Sequence, residues 1–521
     1  MAKRETILVT NILSNFLFQI FGMALAFLSI RFLIQSVGEE RYGIFVLTTT
    51  MLGYFSLAGI GLPGALLKYI PEYLVRKDYL SLNRIVSSAY SFYILVGLVV
   101  FIVLGSLSFV GISLFKISPE NLGTARNIFL MVGLWAIISW PMGIYGQILM
   151  GAQRFYLFNL AQGIQILLCN SLFIVVGLLH YPIECAILVL VLSQLLLFLI
   201  SHLLAHRIIP ELKISISLFK LDTLKMLFIF SVWVMIMNLA GLIIYQSHQI
   251  IISLIISVGL VSIYSVQSTP LMGVRTIYSM ILSAIIPAVS ESKAKDDKVF
   301  VQQVLFRGTR LSLSVIMSIM VVVMAWSYPL IYVWMGKRFA DYSYLCNVLL
   351  LTYIFASPFG VIGQILFGMG EVKILGTIAL ANSLLSIMIS LILVKPLGIL
   401  GVVLGTFLGQ LILTPFCAKY FLKKLDVSFS FFFRKVLLRL YAVSAVFYLI
   451  FRSLSHLMVG EPRFLPTIIY AGAGFLLIFT ANLVFACEKE DRSRIIELFH
   501  EILKITAYYI RKAILKKGEE Y

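Results

Sequence analysis

The 521-residue chain is 61% hydrophobic and only 12% charged, with a mean hydropathy of +1.02. An ordinary soluble domain has about 25% charged residues, so this composition excludes a water-soluble globular protein. Lysine and arginine together number 41 against 23 aspartates and glutamates, a net charge of +18. Because cytoplasmic loops of membrane proteins collect basic residues, this excess does not indicate a nucleic-acid partner.

Apolar runs bounded by charges, glycine or proline predict an all-α polytopic membrane protein with fourteen transmembrane helices. One crossing needs roughly 20 apolar residues. The expected spans lie at about residues 7–35, 43–66, 86–109, 127–150, 157–179, 183–205, 226–257, 261–287, 311–335, 345–367, 374–394, 398–421, 440–459 and 465–486. Lys3 and Arg4 before the first run resemble a signal peptide, but the run continues to Ile34, which favours a retained span.

The distribution of basic residues orients these spans. With a cytoplasmic N-terminus, 31 lysines and arginines fall in cytoplasmic segments and 8 in outer ones, which leaves Arg31 and Arg275 within spans. Because cytoplasmic loops carry the excess of lysine and arginine, this split predicts a multi-pass protein of the plasma membrane with both termini in the cytoplasm.

An internal repeat is the most specific feature of the sequence. Residues 141–151 (PMGIYGQILMG) recur as 358–368 (PFGVIGQILFG), with seven identities at an offset of 217. Within a few residues, the same offset relates Pro71, Glu72 and Asp78 to Pro287, Glu291 and Asp297. Spans 1–6 are therefore predicted to recur as spans 7–12. Because six is even, both copies share one orientation, with a pseudo-two-fold axis along the membrane normal and a cavity between them.

The repeat also sets the predicted domains. They are an N-terminal lobe at 1–206, a cytoplasmic linker at 207–225, a C-terminal lobe at 226–421, two further helices at 422–487 and a cytoplasmic tail at 488–521. The tail combines apolar residues at helical spacing with a basic end. We interpret it as a helix that lies on anionic membrane lipid, and a helix that docks a partner protein is the alternative.

Signatures of catalysis and of metal binding are missing from the sequence. It has no HExxH and no Walker loop, and its five cysteines have no CxxC spacing, so we predict neither an enzyme nor a metal site or cofactor. The GxGxxG at 59–64 interrupts a predicted span and is interpreted as a flexible break. All 23 acidic residues fall in loops, the tail or span edges. A cation-coupled drug antiporter needs a carboxylate inside the membrane, so that function is disfavoured.

Three basic residues and several amides are the candidate substrate ligands. Arg275 lies near the middle of predicted span 8, Arg31 toward the outer end of span 1, and Lys68 at the inner end of span 2. An arginine at mid-bilayer costs at least ~2.5–3.5 kcal/mol on insertion scales, so Arg275 should face protein or water and bind an anion such as a phosphate or pyrophosphate. A structural arginine on helix-end carbonyls is the alternative. Arg31 and Lys68 could instead extend to the membrane interface.

Polar uncharged side chains supply a second element of the site. The candidates are Asn15 and Gln19, roughly on one face of predicted span 1, Gln246 and His248 on span 7, and Gln267 on span 8. Amides in a cleft suit sugar hydroxyls, whereas hydrogen bonding between helices is the alternative for each of them. His248 could also couple transport to protons, although a structural histidine with both nitrogens satisfied is the alternative.

Short motifs along the chain resemble the polysaccharide transporter family, the Wzx-type oligosaccharide flippases. They are residues 37–43 (VGEERYG), 61–62 (GL), 68–73 (KYIPEY), 332–336 (YVWMG), 370–373 (GEVK) and 397–401 (LGILG). The resemblance implies the multidrug/oligosaccharidyl-lipid/polysaccharide exporter superfamily, two six-helix lobes in a V and two extra helices. In the related lipid II flippases, basic residues of helices 1, 2 and 8 lie in the cavity. The resemblance therefore implies a place in the cavity for Arg31, Lys68 and Arg275, which lie on the same helices here.

The function implied by this resemblance is the flipping of an oligosaccharide on a polyprenyl (pyro)phosphate, by alternating access, from the cytoplasmic to the outer leaflet. Cell-surface polysaccharide or glycoprotein synthesis would use such a step, with membrane lipids and glycosyltransferases or a polymerase as further partners. A multidrug or small-solute exporter of the same fold is the first alternative. A membrane scaffold that docks glycan enzymes through the tail is the second.

Overall fold

The computed structural model describes residues 2–55, 61–283, 285–295, 297–457 and 461–493. For residues 2–17, 61, 229–234, 287, 294, 456 and 457 it describes the backbone alone. The predicted amphipathic tail, from residue 494 onward, and Gly59 of the glycine motif lie outside the described residues.

All regular structure in these segments is helical. In chain order the helices are α1 (Ala2–Val37), α2 (Glu39–Phe55), α3 (Gly61–Arg76), α4 (Tyr79–Ser106), α5 (Leu122–Gly151), α6 (Phe155–Leu178), α7 (Ile183–Ile208), α8 (Leu221–Ile255), α9 (Gly259–Leu282), α10 (Ile285–Ala294), α11 (Lys298–Gln303), α12 (Thr309–Ala325), α13 (Ser327–Met335), α14 (Lys337–Ala340), α15 (Ser343–Ala356), α16 (Pro358–Gly368), α17 (Val372–Leu397), α18 (Ile399–Lys424), α19 (Phe429–Phe432), α20 (Leu438–Leu457) and α21 (Phe464–Ala481).

Among the described residues, eleven helices are long and apolar enough to cross a membrane. The pair α15 and α16, bent by 47° at Ser357, makes a twelfth if it forms one span. An all-helical polytopic membrane protein is therefore confirmed, and the count of fourteen stays a prediction. The two expected spans outside this set are 43–66, part of which is not described, and 261–287, where α9 carries many polar residues.

The chain divides into two compact units. The first comprises Met1–Thr269 with Val372–Gln410, and the second comprises Pro270–Glu371 with Leu411–Tyr521. Within the first unit, α8 packs against α2, α3, α4 and α17, so it joins the helices of the predicted N-terminal lobe. The two units are defined by which residues contact one another in this conformation, whereas the two predicted lobes are defined by the sequence repeat. The predicted lobe boundaries therefore stay a prediction.

Matched helix starts in the two units support the repeat. Asp78 caps α4 by accepting a 3.0 Å hydrogen bond from the backbone N–H of Ser81. Asp297, 219 positions later, caps α11 by accepting a 2.9 Å bond from the N–H of Phe300. Such caps satisfy N–H groups that a helix start leaves without a partner inside the helix. The carboxylate of Asp78 is correspondingly stabilised, which lowers its pKa.

A second matched contact lies five residues after each of these aspartates. The amide of Asn83 donates to the carbonyl of Glu211 at 3.0 Å, and the amide of Gln302 donates to the carbonyl of Leu425 at 3.0 Å. Glu211 follows α7 and Leu425 follows α18, the sixth and twelfth predicted spans. In each copy of the repeat, an amide side chain therefore holds the chain segment that follows the last span of that copy.

Small residues let neighbouring helices approach closely. On α18, a β-carbon at Gly405 would collide with Ser390, and one at Gly409 would collide with Ser386. Close contact of this kind drives helix association in lipid, where hydrophobic burial contributes little. The five cysteines are free, and three of them are buried, as expected for small packing residues.

A buried ion pair anchors the segment that follows α21. Arg310 on α12 and Asp491 are 2% and 1% exposed, and the guanidinium Nε lies 2.7 Å from the carboxylate Oδ2. A second guanidinium nitrogen of Arg310 lies 3.3 Å from Glu488. Arg307 pairs with Glu490 from the surface. The start of the tail is therefore fixed to α12 within the second unit.

We predict that Arg310→Leu lowers the stability of the purified protein by about 3–5 kcal/mol, because it leaves the buried Asp491 carboxylate with only a 3.7 Å ionic contact to the guanidinium of Arg307 within the described residues. Thermal unfolding in detergent measures this loss. The double variant Arg310→Leu/Asp491→Leu should recover most of it. The matched control is Asp222→Asn, which breaks an exposed pair with Lys225 and should change stability by less than about 1 kcal/mol. Equal effects of the two single variants would contradict the prediction.

Candidate functional site

Hydrogen bonds join the polar segment of α8 to α2. The hydroxyl of Thr50 donates to the side-chain carbonyl of Gln249. The hydroxyl of Tyr54 lies 2.5 Å from that of Ser247 and 3.1 Å from the carbonyl of Leu242. These contacts fix the half of α8 that carries the predicted ligands.

Gln246 occupies the same α2–α8 interface. Its side-chain oxygen would lie 2.8 Å from a β-carbon placed on Gly53, so a larger residue at position 53 would displace the amide. Glycine therefore leaves the space that Gln246 fills. The predicted amide is half-buried between two helices, but its side-chain oxygen accepts no hydrogen bond from the described residues, so interhelical bonding and substrate binding both stay proposals.

His248 links three helices of the first unit. The ring is buried, with Nδ1 2.7 Å from the hydroxyl of Tyr264 on α9 and Nε2 2.5 Å from the hydroxyl of Thr406 on α18. Each hydroxyl can donate or accept, so a neutral imidazole has both nitrogens satisfied. Gln267, fully buried, lies one turn beyond Tyr264 on α9. This geometry favours the structural interpretation of His248 over a direct contact with substrate.

The three predicted cations lie on three different helices. Arg31 on α1 is half-buried, and Lys68 on α3 is exposed, with its ammonium 4.8 Å from the ring centre of Tyr69. Arg275 on α9 is half-buried, and its Nη1 lies 3.4 Å from the sulfur of Met272. Arg31 and Lys68 belong to the first unit and Arg275 to the second. Their convergence on one cavity stays a prediction.

Two further predicted ligands lie on α1. Gln19 is half-buried, and the side chain of Asn15 lies outside the described residues. The helix continues without interruption from Ala2 to Val37, so both positions belong to one long α-helix.

The sequence did not indicate a cluster at the predicted outer ends of α2 and α5, which we call the outer clamp: Glu40, Arg41, Ser118 and Asn121. The Glu40 carboxylate accepts from the backbone N–H of Ser118 at 2.5 Å, from its hydroxyl at 2.7 Å and from the Asn121 amide at 2.9 Å. Arg41 donates to Asn121 at 2.9 Å. Only the motif at 37–43 marked this region, and it gave no partner for these side chains.

A backbone bridge adjoins the outer clamp. The N–H of Lys116 donates to the carbonyl of Ser253 at 2.9 Å, and the N–H of Val258 donates to the carbonyl of Lys116 at 3.1 Å. A β-carbon on Gly43 would collide with the Val258 carbonyl. The bridge therefore joins the loop between predicted spans 3 and 4 to the turn between predicted spans 7 and 8.

Acidic groups give no candidate for ion coupling within the described part of the chain. Asp491 is the one buried carboxylate there, and it is paired with Arg310 beyond the last predicted span. Within the same residues, no group of three or more His, Cys, Asp or Glu could hold a metal ion.

Comparison with known proteins agrees with the sequence motifs. Residues 8–293 match the family described as "Polysaccharide biosynthesis protein". Over 423 residues the chain is 22% identical to a Shigella flexneri protein described as "Putative O-antigen transporter", covering 79% of this chain and 99% of that protein.

Solved structures share the fold. A lipid II flippase MurJ in an inward closed conformation superposes with a TM-score of 0.69 at 17% identity, over 91% of this chain and 99% of that chain. A multidrug resistance MATE family transporter in an inward-facing conformation gives 0.63 at 14% identity, over 78% and 94%. The fold is therefore that of the MurJ and MATE transporters.

We predict that His248→Ala destabilises the protein by about 1–3 kcal/mol, because it removes the buried hydrogen bonds that the imidazole makes with the hydroxyls of Tyr264 and Thr406. The double variant His248→Phe/Tyr264→Phe removes two of the polar groups together and should cost less. Thermal unfolding of both variants in detergent tests this. A stability unchanged by His248→Ala would exclude the structural interpretation.

Proposed function

The chain belongs to the polysaccharide biosynthesis protein family, and we propose that it flips a polyprenyl-(pyro)phosphate-linked oligosaccharide across the membrane. Its relatives are transporters and not enzymes. In this proposal the substrate moves from the cytoplasmic to the outer leaflet by alternating access between two six-helix lobes, with two further helices beside them. The oligosaccharide serves the synthesis of a cell-surface polysaccharide.

Charge and polarity along α9 are the observation that carries this proposal. The helix has 24 residues, enough to cross a bilayer, yet it is not apolar enough in composition to be one of the eleven candidate spans. It carries Gln267, Arg275 and a proline at position 270. A half-buried guanidinium on such a helix requires a polar surrounding, and its fork of donors matches a phosphate or pyrophosphate. The polyprenyl tail can stay in lipid while the head crosses.

The absence of a buried, unpaired carboxylate among the described residues favours this function over cation-coupled drug export. Arg31, Lys68, Gln19, Gln246 and Gln267 are the further side chains that we propose to face the substrate during transport. Asn15, whose side chain is not described, remains in this set on the pattern of α1 alone.

We predict that Arg275→Ala slows flipping at least about tenfold, since one charge-assisted hydrogen bond to a phosphate contributes about 1.5–3 kcal/mol. Flipping is measured in liposomes that contain the protein and a fluorescent polyprenyl-pyrophosphate oligosaccharide, as the fraction of the fluorescence that can be quenched in the outer leaflet. Arg154→Ala, which removes an exposed arginine, is the matched control and should flip at the normal rate.

Three outcomes would overturn parts of the proposal. Normal flipping by Arg275→Ala would remove Arg275 from the mechanism. No flipping by the unmodified protein, together with efflux of a cationic dye, would favour the multidrug exporter. Neither activity, with glycan enzymes bound to the protein, would favour the scaffold.

We further predict that a disulfide across the backbone bridge stops flipping. Lys116 and Ser253 share a 2.9 Å backbone hydrogen bond, so their backbones are close enough for a cysteine pair at these positions to be tested as a disulfide. In a background without the five native cysteines, oxidation of Lys116→Cys/Ser253→Cys should abolish flipping, and reduction should restore it. Lys116→Cys alone is the control. Full flipping by the cross-linked protein would show that the bridge need not open.

A further inference from the structure

A cationic pocket lies in the second unit, and none of the proposed substrate residues is among those that line it. It has a volume of about 180 Å³. The lining residues are Ser292, Lys293, Asp297, Lys298, Val301, Gln302, Met369, Lys424, Leu425 and Asp426. We propose that this pocket binds the phosphate of a membrane lipid headgroup.

The pocket lies where three candidate spans end. The span Lys298–Ala325 begins at one wall, and the span Ile399–Lys424 ends at another. Met369 follows directly after α16, the second part of the bent pair. Ends of membrane helices lie at the depth of lipid headgroups. All three ends fall on the predicted cytoplasmic side, where anionic lipid attracts basic residues.

The lysines retain capacity for an added anion. Lys293 donates to the carbonyl of Met369 at 2.5 Å, and Lys298 lies 3.8 Å from Asp426. Lys424 pairs with Glu371 at 2.9 Å. An ammonium has three donors, and each of these contacts uses one.

The two carboxylates of the lining are already engaged. Asp297 caps α11 through Phe300, and Asp426 faces Lys298. The buried apolar side chains of Val301 and Leu425 complete the wall. Cationic groups beside an apolar wall suit a lipid phosphate and its attached glycerol or prenyl chain.

The repeat gives independent support, because the first unit fills the matching position with its own side chains. At positions 219 residues earlier than Lys293 and Lys298 stand Leu74 and Tyr79, which pack on the first unit's core. The residue after Glu211, Leu212, is 3% exposed and belongs to that core. The residue after Leu425, Asp426, has a side chain that is 72% exposed. The second copy of the repeat thus keeps the capping aspartate and the amide, but it has charged side chains where the first copy has apolar ones.

Native mass spectrometry of lipids retained by the purified protein tests the proposal. The probes are phosphatidylglycerol, polyprenyl phosphate and, as a neutral comparison, phosphatidylcholine. The variant is Lys293→Gln/Lys298→Gln/Lys424→Gln. The control removes the same charge from exposed lysines of the first unit, as Lys213→Gln/Lys220→Gln/Lys225→Gln. Lys298→Gln alone, which disturbs only the longest of the three contacts, guards against misfolding.

We expect the pocket variant to bind at least one anionic lipid about tenfold more weakly, with the control and phosphatidylcholine binding unchanged. Lys298→Gln should show a smaller loss in the same direction. A loss confined to phosphatidylglycerol assigns the pocket to bulk lipid, and one confined to polyprenyl phosphate assigns it to the substrate's carrier. Equal loss in the pocket and control variants, or no loss in either, overturns the proposal. Since the readout is binding, it stands whether or not the protein flips an oligosaccharide.

Discussion

A polar group inside the hydrocarbon of a bilayer must find its partner within the protein, and this constraint organises the first unit. The hydroxyls and amides along α8 meet partners on α2, α9 and α18, with His248 at the junction of three helices. A helix with so many polar groups cannot lie against lipid alone. Its position between other helices therefore follows from its composition, and so does the compact unit that contains it.

The two copies of the repeat show which contacts the fold needs and which it can exchange. Both keep an aspartate cap and an amide that fastens the segment after the sixth span. These contacts satisfy backbone groups at helix ends, which any copy must do. The side chains around them differ, since apolar residues fill the first unit and lysines line the second. Lys293 and Lys298 of the second unit stand where the first unit has core residues, so the fold does not require charge at these positions and they can serve a function.

Much of the fold could be predicted from apolar runs, because a helix that crosses a bilayer needs a run of about 20 apolar residues. The membrane class, the repeat and the matched aspartates were all visible there. The outer clamp was not, since Glu40 and Asn121 are ordinary loop residues until the fold places them 2.9 Å apart. For His248, the sequence left a structural and a functional role open, and the contacts with Tyr264 and Thr406 favour the structural role. The predicted convergence of Arg31, Lys68 and Arg275 on one cavity depends on the arrangement of lobes, which no residue pattern fixes.

In the proposed transport cycle, the backbone bridge has a strength that suits a reversible closure, because it joins the predicted N-terminal lobe to the predicted C-terminal lobe. It consists of two backbone hydrogen bonds, each contributing about 0.5–1.5 kcal/mol net. Turning a two-state equilibrium from 1:99 to 99:1 takes about 5.5 kcal/mol of differential binding. In the proposed cycle, bonds of this strength can hold one state closed, and a charged substrate headgroup that engages the opposite state can supply the free energy to open it. A core of interlocked apolar side chains at this place would be too costly to separate in each transport cycle.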